Sequence, residues 1–280
     1  LPGAAAGDPA AGTCLGSSDL TPAPAQDLPA ITLPGTPVQL HEPTDVGVAG
    51  YGTGGPFAAV AAAEEGLLVT VLDRASIPGG IGSAGRIHSY YHGLRGGIQE
   101  GLDEAVSGLG SALGKVRGYH PIGRAEVMSQ ALRRPGITVA AGHTVFGAIC
   151  EANRVTGVLS VDAAGYHLFP CRAAIDATGD GDLAAAAGAP MTLGRTGDRF
   201  PQPYSYTPSL VVNGELRHHN FDAGWVDPTD TLDFSRAHFE GRACIAARAP
   251  YTAERHYCTL APIRSEERRV GKEGRSRWSP

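Results

Sequence analysis

The chain is short of charge and of aromatic rings. Asp, Glu, Lys and Arg make up 18% of its 280 residues, and Phe, Trp and Tyr only 6%. Acidic residues outnumber basic ones, 28 to 23, for a formal net charge of −5. That balance offers no basic face for a phosphate backbone, so nucleic acid is not an expected partner. No apolar run reaches the roughly 18 residues of a membrane span, and no signal peptide is recognisable at the start. The five cysteines, at 14, 150, 171, 244 and 258, include no C-x-x-C and no paired metal spacing. A dithiol redox pair and a cysteine-rich metal site are therefore not expected, and buried or incidental thiols are. His256 with Cys258, and the adjacent His218 and His219, make no metal site without further ligands.

What the chain has in quantity is glycine, 39 residues of it, together with runs of alanine. This composition suits a tightly turned α/β protein with close helix–sheet packing, and the length allows one large core or two smaller ones. The stretch Thr44 to Asp73, TDVGVAGYGTGGPFAAVAAAEEGLLVTVLD, reads as strand, glycine turn, helix and second strand. Gly50, Gly52 and Gly55 form G-x-G-x-x-G, and Asp73 closes the second strand 23 residues after Gly50. A dinucleotide-binding βαβ unit needs this order. Gly50 lets the strand turn sharply, Gly52 lets a pyrophosphate approach the backbone, and Gly55 lets the helix pack closely on the sheet. The helix N-terminus offers N–H groups and the positive end of its dipole to the phosphates. Pro56 sits in the first turn, where its missing N–H costs little. The body Ala58 to Glu65 is alanine-rich, and Gly66 ends it as a C′ glycine. Asp73 is placed to accept hydrogen bonds from ribose hydroxyls. On this stretch alone NAD and FAD stay equally open.

After Asp73 comes RASIPGGIGSAGRIHSYYHGLRGG, a backbone-rich loop at Pro78-Gly79-Gly80. It is followed by the densest cluster of imidazole, phenol and guanidinium groups in the chain: Arg86, His88, Tyr90, Tyr91, His92 and Arg95. Gln99 to Leu113 and His120 to Arg133 have helical apolar spacing. Ile137 to Ala141 reads as a short strand. Thr144–Glu151, Val155–Asp162 and Tyr166–Cys171 read as a three-stranded antiparallel meander joined by short turns. Ala173 to Ala177 is a further apolar strand. It runs into the polar glycine turn Thr178-Gly179-Asp180-Gly181-Asp182 and a helix from Leu183 to Ala187. From Pro190 the pattern is less regular, with a strand expected at Leu210–Asn213 and a helix at Asp233–Arg248.

The ends differ from the rest. Residues 1–43 are rich in Ala, Pro and Gly with no sustained period and are expected to be irregular, except that Ile31 to Leu40 could add an edge strand. The chain starts at Leu1, and RSEERRVGKEGRSRWSP (Arg264 to Pro280) turns abruptly to dense charge. The latter closely resembles the translation of a sequencing adapter, so a non-native tail at 264–280 and a truncated gene are expected. With the true N-terminus expected to be missing, the cytoplasm is only a default compartment. The expected organisation is an irregular segment at 1–43, a nucleotide-binding domain at 44–190, a partial substrate or cap region at 191–263, and the tail.

The order βαβ, loop, helices, meander and a strand ending in ATGDGD resembles the flavoproteins with the glutathione-reductase-like, two-dinucleotide-binding-domain FAD fold. More narrowly, Asp176 to Pro190, DATGDGDLAAAAGAP, resembles a stretch carried by a family of FAD-dependent oxidoreductases. The resemblance implies an α/β fold in which a parallel sheet with helices carries a three-stranded meander. It implies FAD as cofactor and a small-molecule substrate, with an unspecified electron acceptor. Gly50, Gly52 and Gly55 would hold the pyrophosphate. Asp73, with Arg74 beside it, would hold the adenosine ribose. Gly79 and Gly80 would lie against the cofactor, and Val145 would supply backbone contacts on the adenine side. Thr178, Gly179 and Asp180, with Asp182 nearby, would approach the pyrophosphate and ribityl chain. For Asp180 and Asp182 a helix-capping role is equally compatible. Two departures stand out. Gly47 replaces a β-branched residue inside the first strand and should weaken it, and the C-terminal return segment that approaches the flavin is absent after Ile263.

In this reading the flavin carries the redox chemistry and the protein positions the substrate. His88, Tyr90, Tyr91 and His92 are the candidate proton carriers, because they follow the glycine loop. Arg86 and Arg95 are the candidates to grip an anionic substrate. Packing at a domain junction is the alternative for each. Scattered cysteines disfavour a flavin–disulfide mechanism, and the second glycine turn disfavours a plain NAD dehydrogenase. Two other readings remain: a non-redox user of the fold such as a thiazole-synthase-like transferase, and a non-catalytic flavin-binding fragment. The transferase would want a sulfur-donating cysteine or metal-binding histidine in the loop after Asp73, and no Cys lies between 15 and 149.

Overall fold

The computed structural model describes residues 37–85, 96–113 and 120–192, and the elements named below between 204 and 270. A short strand, Val38–Leu40 (β1), precedes the central strand Thr44–Ala49 (β2). Helix Gly55–Glu64 (α1) crosses over to Val69–Asp73 (β3). Two further helices follow, Gly97–Leu113 (α2) and Pro121–Ala131 (α3), then Ile137–Ala141 (β4). β4, β3 and β2 lie side by side in parallel, with Val46 opposite Val69 and Val69 opposite Ile137. Thr144–Glu151 (β5) and Arg154–Asp162 (β6) form a hairpin whose turn residues Ala152 and Asn153 both have positive φ. Gly165–Asp176 (β7) then returns, and Asp182–Ala186 (α4) leaves from its end.

The meander's third strand and the apolar strand expected after it are one element. β7 runs 12 residues without a break. Its first part pairs antiparallel with β6, and its second part pairs parallel with β2, Val46 opposite Ala173 and Ala49 opposite Asp176. No turn residue separates Cys171 from Ala173, so nothing interrupts the extended backbone; only its partner changes. The sheet order is β4-β3-β2-β7-β6-β5, with β1 added in parallel to β7. β1 is the edge strand that the segment before residue 41 could supply.

The central strands β2 and β3 are buried on both faces, which explains why they read as near-continuous apolar runs. Val46, Val48, Val69 and Val71 face α1 and α3, packing with Ala59 and Leu132. Ala49 and Leu72 face the other way, toward Val158 of β6, Phe169 and Cys171 of β7 and Leu183 of α4. Gly47 lies on this second face. A Cβ there would come 3.2 Å from Cys171 Sγ and 3.3 Å from Val158 Cγ2. The missing side chain is what lets the meander close onto the sheet, so Gly47 serves the packing of the strand it was expected to weaken.

α2 and α3 meet around Arg124, which is 1% exposed and sits 3.5 Å from the Asp103 carboxylate. His120 is the N-cap of α3, with Nδ1 accepting from Gly123 N–H at 3.4 Å and Pro121 following as the first helical residue. After α4 come Met191–Thr192 (β8), Tyr204–Tyr206 (β9), Ser209–Val212 (β10), Glu215–His218 (β11) and Phe221–Gly224 (β12). The helix Thr231–Arg248 (α5) precedes Arg255–Thr259 (β13), Ile263–Arg264 (β14) and Arg269–Val270 (β15). They form two small sheets, β11-β10-β13 and β12-β9-β14, and a β15-β8 pair that includes residues of the adapter-like segment.

His120 makes a stability prediction. Burial lowers its pKa below the ordinary 6.5, so the unfolded chain takes up the proton first as pH falls. Its contribution is complete above about pH 6.5 and is lost as pH drops through that value toward the lower folded pKa. Protonation also removes the Nδ1 lone pair from Gly123 and puts a positive charge at a helix N-terminus. His120→Asn keeps a good cap that does not titrate. In urea melts the variant should gain stability relative to the parent between pH 7.5 and 5; a pH-independent difference would show that His120 does not titrate with folding.

Candidate functional site

Three backbone loops meet at the C-terminal ends of β3, β2 and β7. The first is the turn from Gly50 to Gly55. Gly50 has φ +90°, and a Cβ on it would strike Ala177 O at 2.5 Å. A Cβ on Gly55 would lie 1.9 Å from Gly50 O. The turn is thus folded back on itself, and α1 starts directly against the strand it leaves. No side chain caps α1, whose N-cap is Gly54.

The second loop is residues 78–85. Gly79 N–H donates to Tyr51 O at 3.0 Å, and a Cβ on Gly80 would come 2.8 Å from Gly52 Cα. Gly79 and Gly80 therefore lie on the first turn. Ser83, which is buried, holds the loop's curvature by donating to Pro78 O at 2.6 Å. The third loop is 177–182. Ala177 N–H donates to Ala49 O at 2.8 Å, which seats this loop beside Gly50.

Two carboxylates organise the loops. Asp73 Oδ2 accepts from Tyr51 N–H and Oδ1 from Ala75 N–H, both at 2.8 Å. Each oxygen keeps a lone pair for a further donor. Tyr51 is 2% exposed, and its hydroxyl donates to Ala75 O. Burial, and then the Asp73 charge, push its pKa up to about 12, so the phenol keeps the proton it donates. Asp176 does for the third loop what Asp73 does for the first. Its Oδ1 accepts from Thr178 N–H at 2.9 Å and from the Thr178 hydroxyl at 2.7 Å, and Oδ2 accepts from Ala184 N–H at 2.7 Å. Thr178 Oγ1 accepts in turn from Asp182 N–H at 2.8 Å.

Of the residues singled out in the sequence, Gly50, Gly52, Gly55, Asp73, Gly79, Gly80 and Thr178 come together here. Gly179 has no neighbour that an added Cβ would meet within 4 Å, and Asp180 is half-buried. Asp182 is exposed and is the first residue of α4. The cap of that helix is Gly181, with no side-chain cap, and the carboxylate reaching its first turn is Asp176. Arg74 is exposed just after β3. Val145 is half-buried in β5, packed against the cluster that includes Ala49 and Leu72. Arg86, His88, Tyr90, Tyr91, His92 and Arg95 lie outside the described residues.

Sequence reasoning missed Asp176, Tyr51, Ser83 and Thr53. The first had a signal: an Asp at a strand end, two residues before a Thr in a glycine turn, is an Asx-turn pattern. Thr53 had none. Its Oγ1 is buried without a hydrogen-bond partner among the described residues, inside the glycine turn. An orphaned hydroxyl among backbone N–H groups suits an anion with several acceptor oxygens. The loops, the two carboxylates and Thr53 fit the phosphates and ribose of one long dinucleotide.

One comparison with known proteins points the same way. The sequence model of one family, described as FAD dependent oxidoreductase, matches residues 45–276. The OxyS anhydrotetracycline hydroxylase from Streptomyces rimosus is similar in structure, with a TM-score of 0.51 and 14% identity over 79% of this chain and 52% of that one. The myxobacterial chondrochloren halogenase CndH, an FAD-dependent halogenase, gives 0.49 and 18% over 82% and 64%. A geranylgeranyl bacteriochlorophyll reductase-like protein from Thermoplasma acidophilum gives 0.48 and 15% over 81% and 67%. The chain spans from 24% to 66% of the first solved structures it matches. No curated protein matches it.

The Gly55 contact is testable by contrast with Gly54, where a Cβ meets nothing within 4 Å. Gly55→Ala must push α1 off the turn, and an overpacked contact of this kind costs about 1–3 kcal/mol or more. Gly54→Ala should cost under about 1 kcal/mol. Denaturant melts that show equal losses would refute the packing account.

Proposed function

The chain belongs to the FAD dependent oxidoreductase family, and on that premise we propose that it oxidises or reduces a small molecule through its flavin, with the glutathione-reductase-like form of the fold. The observation that carries the reading is the meeting of the loops at 50–55, 78–85 and 177–182 at the ends of parallel strands, where open α/β sheets bind nucleotides. A mononucleotide site needs only the first turn and Asp73. A second backbone approach, organised by its own carboxylate Asp176, suits a longer cofactor. FAD supplies the hydride or electron-pair chemistry when bound.

The residues divide the work as follows. Gly50, Gly52 and Gly55 admit the pyrophosphate to the α1 N-terminus, and the Thr53 hydroxyl donates to it. Asp73 accepts from the adenosine ribose, with Arg74 at its edge. Gly79 and Gly80 cover the first turn and exclude water from it. Val145 offers its backbone to the adenine. Thr178, Gly179 and Asp180, with Asp182 beyond them, face the ribityl side. Arg86 and Arg95 bind an anionic substrate, and His88, Tyr90, Tyr91 or His92 carries its proton. The unit 44–190 is the FAD-binding domain and 191–263 the substrate-facing region. The electron acceptor is a separate partner. The loop after Asp73 carries no cysteine to donate sulfur, so the sulfur-transferring alternative is not favoured.

The purified chain should show flavin absorption bands. Acid precipitation should leave the flavin in the supernatant; flavin in the pellet would point to a covalent bond, for which His88 and His92 are the candidates. Protein with no flavin bands, which also fails to take up added FAD, would sink the proposal. Asp73→Asn keeps an acceptor for the Tyr51 N–H but loses the charge. It should weaken FAD binding about tenfold, as expected for a hydrogen bond to a charged group, read by fluorescence titration. An unchanged affinity would remove Asp73 from the ribose.

A further inference from the structure

Away from the loops, three stretches far apart in sequence bring three imidazoles and a carboxylate together. His41 follows β1, His143 precedes β5, Asp162 ends β6 and His167 lies in β7. His143 and His167 are buried, at 9% and 4% exposure. One ligand atom from each of His143, Asp162 and His167 lies within 4.8 Å of the others. His167 Nε2 is 2.7 Å from Asp162 Oδ1. His143 Nε2 stops 3.7 Å from Asp162 Oδ2, beyond hydrogen-bond range. Four ligands at zinc's roughly 2.0–2.1 Å bond lengths stand about 3.3 Å apart in a tetrahedron. The two His–Asp separations bracket that value, and the third ligand–ligand separation is within 4.8 Å, so the three groups need only close in on one another to hold the ion.

The far sides of both rings are already held. His143 Nδ1 is 3.0 Å from the Oγ of Ser160, which is fully buried, and His167 Nδ1 is 3.0 Å from His41 Nε2. His41 is itself stacked on Phe169, ring centroids 3.9 Å apart. Metal-bound imidazoles characteristically carry such an outer partner on the second nitrogen, and it orients the ring and fixes the tautomer. We propose that His143 Nε2, His167 Nε2 and the Asp162 carboxylate bind one zinc ion, with Ser160 and His41 as the outer partners and a water in the fourth position.

The proton count closes. Without metal, His167 Nε2–H donates to Asp162 and its Nδ1 accepts from His41 Nε2–H. With metal on His167 Nε2, that ring carries its proton on Nδ1 and donates to His41 Nε2, and His41 holds its own proton on Nδ1. Two tautomers change and neither ring loses a proton. The ion would clamp the β4–β5 corner to the β6–β7 hairpin. His143 N–H donates to Asp73 O at 3.0 Å, so the clamped corner is bonded to the backbone of the residue proposed to hold the ribose.

The test is calorimetric titration of the flavin-loaded full chain, stripped with a chelator and dialysed, with Zn²⁺ as the probe. Saturable binding of one equivalent is expected. His143→Gln and His167→Gln should each weaken it about 100-fold, and Asp162→Asn and His41→Gln about tenfold or more. His120→Asn, a buried histidine outside the cluster, should leave it unchanged. No saturable binding by the folded parent, or binding by the His143→Gln and His167→Gln variants equal to the parent's, would overturn the proposal. Should the variants fail to fold, X-ray absorption at the zinc edge of the loaded parent decides. Two imidazole nitrogens with oxygen in the shell support the site; a sulfur-containing or all-oxygen shell overturns it.

Discussion

The close approach of Gly55 to the Gly50 carbonyl governs the geometry of everything around it. With no side chain at Gly55, helix α1 can begin where a Cβ would have to stand 1.9 Å from that oxygen, far inside any allowed contact. Its N-terminus therefore sits at the end of β2 and not beside it. The Tyr51 N–H is thereby turned toward Asp73, and its carbonyl toward Gly79. The Gly50 turn in turn leaves room for Ala177, which bonds to Ala49 across the strand ends. The second loop is positioned by a backbone bond to the first turn, and the third by one to the strand end just before it.

The sheet beneath must hold these strand ends level, and it does so through central strands buried on both sides. The parallel strands β2, β3, β4 and β7 contribute residues to two separate apolar clusters, one on each face. Helices cover one face with small residues and a hairpin covers the other. The continuity of β7 matters most here: one rigid strand belongs to the meander at its start and to the parallel sheet at its end. Tilting the meander would tilt Asp176 and the loop it organises. Gly47, by admitting Cys171 and Val158 against β2, locks that relation at mid-strand.

Much of this was legible in the sequence, and the reason is specific. β2, α1 and β3 announce themselves because a parallel strand buried on both faces must be an apolar run, and because a helix starting against a carbonyl demands glycine. The helix at 121–131 was legible from its apolar spacing. The fusion of two expected strands into β7 was not, because an extended chain that changes partners shows no break in its residues. The role of Gly47 was hidden for a related cause: its meaning lies in Cys171 and Val158, more than 100 positions away. The clustering of His41, His143, Asp162 and His167 was equally invisible, since no spacing links them. Asp162 and His167 alone are near neighbours, and at a hairpin such a pair is common.

The division between what was legible and what was not follows the chemistry. The proposed cofactor site is made of main-chain N–H and carbonyl groups, which every residue owns. The sequence can mark such a site only by requiring glycine where side chains would intrude and a carboxylate where N–H groups need an acceptor. Both marks are present, at Gly50 and Gly55 and at Asp73 and Asp176. Substrate chemistry instead depends on which side chains face one another across a cavity. The composition of the segment 86–95 says that imidazole, phenol and guanidinium groups are available there, but composition does not say which of them meet. A family with a shared cofactor site can thus act on unrelated substrates: the glycines and carboxylates are constrained by one dinucleotide, while the side chains above it answer only to the molecule they receive.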